Sequence, residues 1–151
     1  FGGGADMTPS IPNNDDVNFF HTSIENVCNK HDKNYYPDFK KQCDEYFYLP
    51  HRDEPRGEGG IFFDHLNNNN FNKDFNFIHD FGEDILTTIC TIIEKRKNKS
   101  WSQNEKDIQL FKRGRYVEFN LLWDRGTLFG LKTGGSTEAI LMSMPPTAKW
   151  D

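Results

Sequence analysis

The side chains capable of chemistry gather in five places along the chain. The densest is Tyr46–Asp64, where His51 stands beside Arg52, Arg56 follows four residues on, and Asp53 and Glu54 lie between them. A structural turn needs a glycine or a proline; it does not need two arginines next to a histidine. A guanidinium offers parallel N–H donors that match a carboxylate or phosphate, so this stretch suits a negatively charged ligand. Gly2-Gly3-Gly4-Ala5-Asp6 lets backbone approach a ligand closely, with Asp6 pointing at it, but lacks the GxxxxGK[ST] pattern of a phosphate loop. His21 and His51 are 30 residues apart, which is no metal-binding spacing. Lys112-Arg113-Gly114-Arg115 and Trp123-Asp124-Arg125-Gly126-Thr127 complete the set. Each cluster has a plain structural reading: local ion pairs, partners for a helix dipole, turn chemistry, a satisfied histidine. Together they place arginines and two carboxylates, Asp6 and Asp124, at loops and strand ends. That combination suits a polycarboxylate ligand whose chemistry needs a base.

Elements must position these groups. Residues 1–12 read as a loop, rich in Gly and ending in Thr8-Pro9 and Ile11-Pro12. Asp15 or Asp16 can cap a helix with Val17, Phe20, Ile24 and Val27 on one face. Pro37 suits the first turn of a second helix that turns Phe39, Cys43 and Tyr46 or Phe47 inward. Ile61-Phe62-Phe63 reads as a short strand, and the Asn/Phe mixture from Asn67 to Phe77 as a surface insert. Asp74 opens a helix through Phe77, Phe81, Ile85, Ile89 and Ile92 that closes on Lys95-Arg96-Lys97. Ser102-Gln103-Asn104-Glu105 is a capping box for a helix through Ile108 and Phe111. The period then changes to two: Val117, Phe119 and Leu121 alternate with Glu118 and Asn120. Runs at 127–131 and 139–144 follow across Asp124-Arg125-Gly126 and Thr133-Gly134-Gly135, predicting a three-strand antiparallel meander. Segregated helices and strands predict an α+β fold.

The 151 residues suffice for one domain with a core. A net charge of -5 with no basic face argues against a nucleic-acid partner. The odd cysteine count (Cys28, Cys43, Cys90), without a CxxC pair, argues against a disulfide framework and for a reducing compartment. No apolar run approaches the roughly 18 residues of a transmembrane helix. The chain opens at Phe1-Gly2 instead of a Met and is expected to be a piece of a longer protein.

The segments FGGGADMTP (1–9), FKKQCDEYFYLPHRDEPRGEGGIFFD (39–64), RGRYVEFNLLWDRGTLFGLKTGG (113–135) and EAILMSMPP (138–146) resemble the oxygen-dependent coproporphyrinogen III oxidases, in order and over more than half of the chain. The resemblance implies an antiparallel sheet flanked by helices on both faces. It makes residues 1–151 the C-terminal portion of a single domain whose N-terminal half is absent, and a piece of this kind is expected to be inactive alone. It implies oxidative decarboxylation of two propionates of coproporphyrinogen III to vinyl groups with O2 as co-substrate and no organic cofactor, giving protoporphyrinogen IX for haem synthesis. A non-catalytic tetrapyrrole-binding module, or an inactive fragment of the same fold, is the alternative. Asp6, Asp124 and Arg125 resemble the family's catalytic groups; Arg56, Lys112 and the turn Gly134-Gly135-Ser136 resemble its substrate contacts. Arg52 joins them by proximity to Arg56. His21 and His51 match two of four histidines attributed to a divalent metal. Ser136 stands where the family commonly has Arg; it keeps a hydroxyl but loses the fork, and Lys132 or Lys149 is left to supply charge. The family further implies a homodimer with its interface within Tyr116–Asp151, and a cytoplasmic location with the mitochondrial intermembrane space as the alternative.

Overall fold

The computed structural model describes residues 1–150. Its order is β1 (Gly3–Met7), α1 (Asn14–His31), α2 (Tyr35–Tyr46), β2 (Tyr48–Leu49), β3 (Glu54–Pro55), β4 (Gly59–Phe63), α3 (Phe71–Arg96), α4 (Gln103–Leu122), α5 (Arg125–Lys132) and α6 (Thr137–Ile140). β1 pairs antiparallel with β4, Ala5 opposite Ile61, and β2 pairs antiparallel with β3. The fold is thus helix-rich α+β with small antiparallel sheets.

Local chemistry sets the helix ends. The cap of α1 is Asn13, whose side chain accepts the Asp16 N–H, and not Asp15 or Asp16 as the sequence suggests; those two lie in the first turn, where the helix dipole favours negative charge. Asn70 performs the same service for α3, accepting from the Lys73 N–H. That helix therefore starts inside the Asn-rich stretch, earlier than the Asp74 start the sequence suggests; Asp74 is instead buried and takes hydrogen bonds from Asn68. The predicted capping box at Ser102 and Glu105 is present, with both reciprocal bonds made.

α1 and α3 pack side by side along a polar seam. Arg96 bonds Asp16 at 2.5 Å, Ser23 donates to Asp84 at 2.8 Å, and His31 meets Asp80 at 2.9 Å. Beneath it, Phe20, Ile24 and Val27 of α1 and Phe39 of α2 meet Phe77 and Phe81 of α3 and Ile61 and Phe63 of β4. Strand alternation sends Ile61 and Phe63 to this core and Phe62 to the opposite face. There Phe62 stacks on Tyr46 with 4.6 Å between ring centroids, and Tyr46 and Phe47 contact Phe119 of α4. The β1–β4 ribbon accordingly has helical side chains on both faces. Gly60 permits the close pairing, since a Cβ there would stand 2.0 Å from the Ala5 carbonyl oxygen.

Two larger expectations are also corrected. The stretch 3–7 is a strand and not a loop, because the edge of β4 supplies ladder partners to backbone that the sequence alone leaves without any. The meander is replaced by α4, α5 and α6. A strand must find its hydrogen bonds in a neighbour, whereas a helix satisfies them internally. Once nucleated at the capping box, α4 runs on to Leu122, and Asp124 then caps α5 by accepting the Thr127 N–H at 2.6 Å. Large apolar side chains of this part stay outside the core: Leu122, Phe129 and Met142 are 52%, 69% and 84% exposed.

Candidate functional site

The Gly-rich strand β1 carries Asp6 opposite Gly60 of β4, and the turn after β3 brings Arg56 back to it. Arg56 is buried; its Nη2 donates to Asp6 Oδ2, to which Thr8 Oγ1 also donates at 3.2 Å. The guanidinium lies in an aromatic cage, 4.0 Å from the Phe47 ring, 4.9 Å from Phe119 and 5.6 Å from Tyr116. Cation–π attraction strengthens as such a charge loses water. Among the described residues, Arg56 Nε is the one buried side-chain polar atom without a hydrogen-bond partner. Asp6 and Arg56 line a cleft of about 360 Å³ together with Cys43, Asp44 and Glu58. Burial pushes the Cys43 thiol up to about 12, which leaves it an inert wall and not a nucleophile.

Asp124 and Arg125 sit on the far side of the same aromatic layer. Tyr46 donates to Asp124 Oδ1 at 2.8 Å, and Arg125 lies 4.7 Å over the Tyr46 ring while bonding Asp64 at 2.9 Å. Burial alone would raise the Asp124 carboxyl. The Thr127 N–H, the Tyr46 hydroxyl and the Arg56 charge outweigh it and hold the group below the usual carboxylate range. Asp124 is thereby kept ionised and able to accept hydrogen bonds from N–H donors.

The remaining predicted residues have different surroundings. Arg52 is not turned to the cleft: its Nε and Nη2 reach Glu118 at 2.9 and 2.6 Å in a two-pronged ion pair. His51 Nε2 meets the same carboxylate at 2.8 Å, while the Trp123 indole N–H donates to His51 Nδ1 at 3.1 Å. His21 Nε2 stands 2.9 Å from the Glu58 carbonyl, so it carries the hydrogen, and Nδ1 accepts from the Tyr36 hydroxyl at 3.0 Å. Each histidine thus has both ring nitrogens engaged by protein groups, and the pair does not fit a shared metal as arranged here. Among the described residues, no group of three or more His, Cys, Asp or Glu side chains is placed to hold an ion. Gly134, Gly135 and Ser136 form the exposed turn between α5 and α6, with Ser136 capping α6, apart from the Asp6–Arg56 pair. Lys112 is exposed on α4, and Lys149 lies over the Phe111 ring.

Sequence reasoning missed Glu118, Tyr46 and Phe119 as members of this assembly. The alternating pattern at 117–121 places Glu118 opposite to Phe119, whereas on a helix the two are about 100° apart and both face the loop at 51–56.

The whole chain, residues 1–151, matches the family model for coproporphyrinogen III oxidase. It is 57% identical over 150 residues to the oxygen-dependent coproporphyrinogen-III oxidases of Francisella tularensis subsp. holarctica and Francisella philomiragia, covering 99% of this chain and 49% of each relative. It is 55% identical to the enzyme of that name from Rickettsia bellii, again over 99% of this chain and 54% of the relative. The chain spans about half the length of the curated relatives it matches.

Proposed function

Since this chain belongs to the coproporphyrinogen III oxidase family, we propose that the complete gene product converts two propionates of coproporphyrinogen III to vinyl groups, with O2 as acceptor. The observation that best supports this reading is the ion pair of the buried Arg56 with Asp6 at the wall of a cleft, with one guanidinium N–H left without a protein partner and Asp124 held ionised across the adjoining aromatic layer. For each propionate, a hydrogen leaves the carbon next to the ring and CO2 leaves from the chain end. The two electrons and two protons released reduce O2 to H2O2. The bonds broken in each propionate supply the two electrons, and the electron-rich macrocycle relays them to O2 without net change, so no organic cofactor is required.

The roles follow from charge. Asp6 and Asp124 accept the pyrrole N–H groups and stabilise positive charge or take a proton as the ring reacts with O2. Arg56, and Arg125 after release from Asp64, face the substrate carboxylates. We further propose a homodimer whose interface uses the apolar side chains exposed on 116–150; Asp151, the last residue of that predicted range, lies outside the described residues. The unpaired cysteines suit a reducing compartment such as the cytoplasm. Among the described residues, no helix is long and apolar enough to cross a membrane.

The test is to mix anaerobically prepared coproporphyrinogen III with the complete gene product, admit O2, and follow O2 uptake, CO2 release and the vinyl product. Turnover supports the oxidase; tight binding with no gas exchange would leave a tetrapyrrole-binding module instead.

A further inference from the structure

We infer that Glu118 is a positioning residue: by clamping the β2–β3 hairpin to α4, it sets where Arg56 presents its guanidinium to the cleft. The ligand is that of the proposed function, on which this role rests and which it deepens. Arg56 follows the hairpin directly, and its backbone N–H donates to the Phe47 carbonyl oxygen at 2.9 Å. Its side chain is held less specifically. Among the described residues it makes one hydrogen bond, to Asp6; its other partners are the rings of Phe47, Phe119 and Tyr116. A ring face attracts the charge but does little to fix how the planar fork is turned above it. The direction of the fork is therefore inherited from the backbone that carries it.

That backbone does not support itself. β2 and β3 have two residues each, and a two-stranded hairpin is marginal alone. At its tip Asp53 stands at φ 54°, in the left-handed region that a residue with a Cβ seldom adopts. The hairpin is held from outside, by α4 and the residue that follows it. Arg52 donates to both Glu118 oxygens, at 2.9 and 2.6 Å. His51 Nδ1 accepts from the Trp123 indole, so its hydrogen is on Nε2, which donates to Glu118 at 2.8 Å. One turn earlier on the same helix, Arg115 donates to Glu54 of β3 at 2.9 Å. Two-pronged, charge-assisted contacts are the most directional a protein makes, and only 11% of the Glu118 side chain is exposed to competing water. Tyr116 and Phe119, on either side of Glu118 in sequence, supply two rings of the Arg56 cage. One helix thus fixes both the cage and the support from which Arg56 enters it. A glutamine at 118 keeps the shape but offers one accepting oxygen and turns an NH2 toward the other donors, so the clamp opens. A shift of about 1 Å in a group that positions substrate can cost about a hundredfold.

The experiment measures coproporphyrinogen III turnover and the affinity for coproporphyrin III, the fluorescent oxidised tetracarboxylate, in the complete gene product. Wild type is compared with Glu118→Gln, Glu118→Asp, Arg56→Ala and the double variant Glu118→Gln/Arg56→Ala. Asp16→Asn, which breaks the Arg96 pair on the α1–α3 seam, controls for lost stability alone. Far-UV circular dichroism and the thermal midpoint are recorded for each. Glu118→Gln is expected to raise KM about tenfold or more with kcat within about threefold, and Glu118→Asp to recover part of the loss. In the Arg56→Ala background, Glu118→Gln should add less than about twofold, because the group it acts through is already gone. Asp16→Asn should lower the midpoint and leave KM within about twofold. Effects of Glu118→Gln and Arg56→Ala that multiply overturn the role, as does a folded Glu118→Gln with the wild-type KM. Tighter binding by Glu118→Gln also overturns it, since Glu118 would then only be holding Arg52 away from the ligand. Turnover by wild type with multiplying effects overturns the positioning role alone. No turnover by wild type, with the two substitutions failing to multiply in affinity, retains the role and overturns the oxidase. Neither turnover nor binding overturns both.

Discussion

Glu118 takes hydrogen bonds from Arg52, His51 and the Trp150 indole, and the Arg52 guanidinium does most to hold its carboxyl down, to about 2. A carboxyl depressed in the folded state contributes stability that is fully present above its unfolded value near 4.5 and is lost as pH falls toward 2. Glu118→Gln is therefore expected to cost about 1–3 kcal/mol in urea unfolding at pH 7. The gap to wild type should narrow between about pH 4.5 and pH 2, and a pH-independent gap would contradict the assignment. The groups proposed to face the substrate are expected to act differently. Arg56→Ala should mainly raise KM for coproporphyrinogen, whereas Asp124→Ala should lower kcat more than it weakens binding. Steady-state kinetics of the complete gene product tests both, and the reverse pattern would exchange the roles.

α4 is shaped by one glycine in mid-helix. A Cβ at Gly114 would stand 2.6 Å from the Lys149 carbonyl oxygen, where the tail docks through the bond from Lys149 N–H to Leu110 O. Alanine usually improves a helix interior, but here it must displace the tail. Gly114→Ala is expected to destabilise by about 1–3 kcal/mol and to speed exchange of the Lys149 amide. Gly82, exposed in the middle of α3 with nothing within 4 Å of its Cβ position, is the matched control. Gly82→Ala should stabilise by about 0.5–1 kcal/mol. Urea melts of the two variants should therefore move in opposite directions.

For the whole molecule, the distribution of apolar surface is the main feature. The first half has a continuous core centred on Phe77 and Phe63; α4, α5 and the tail expose Leu121, Leu122, Phe129, Leu131 and Met142, and α3 leaves Phe71, Leu86 and Ile93 exposed. Those on 116–150 fit the homodimer contact proposed above. Sedimentation equilibrium should show concentration-dependent association. Leu122→Glu and Phe129→Glu, at 52% and 69% exposure, should shift it toward monomer without lowering the thermal midpoint of the monomer. Unchanged association in both variants would place the dimer contact elsewhere.

Much of this was legible in the residues themselves. The capping box at Ser102 and Glu105 acts over three residues, so the start of α4 follows from local sequence; the cap of α1 falls on Asn13 instead of Asp15 or Asp16, and Asp124, read as a turn residue, caps α5. The quoted motifs likewise carry the family, because they are runs of adjacent residues. Which carboxylate each arginine meets could not be read that way. Arg52 and Arg56 look alike four residues apart, yet one is met by Glu118, 66 residues away, and the other by Asp6, 50 residues away. The same holds for the choice between strand and helix at 117–121, a pattern compatible with both. Charge pairing and ladder hydrogen bonding are made between segments distant in the chain, so only the tertiary structure decided them.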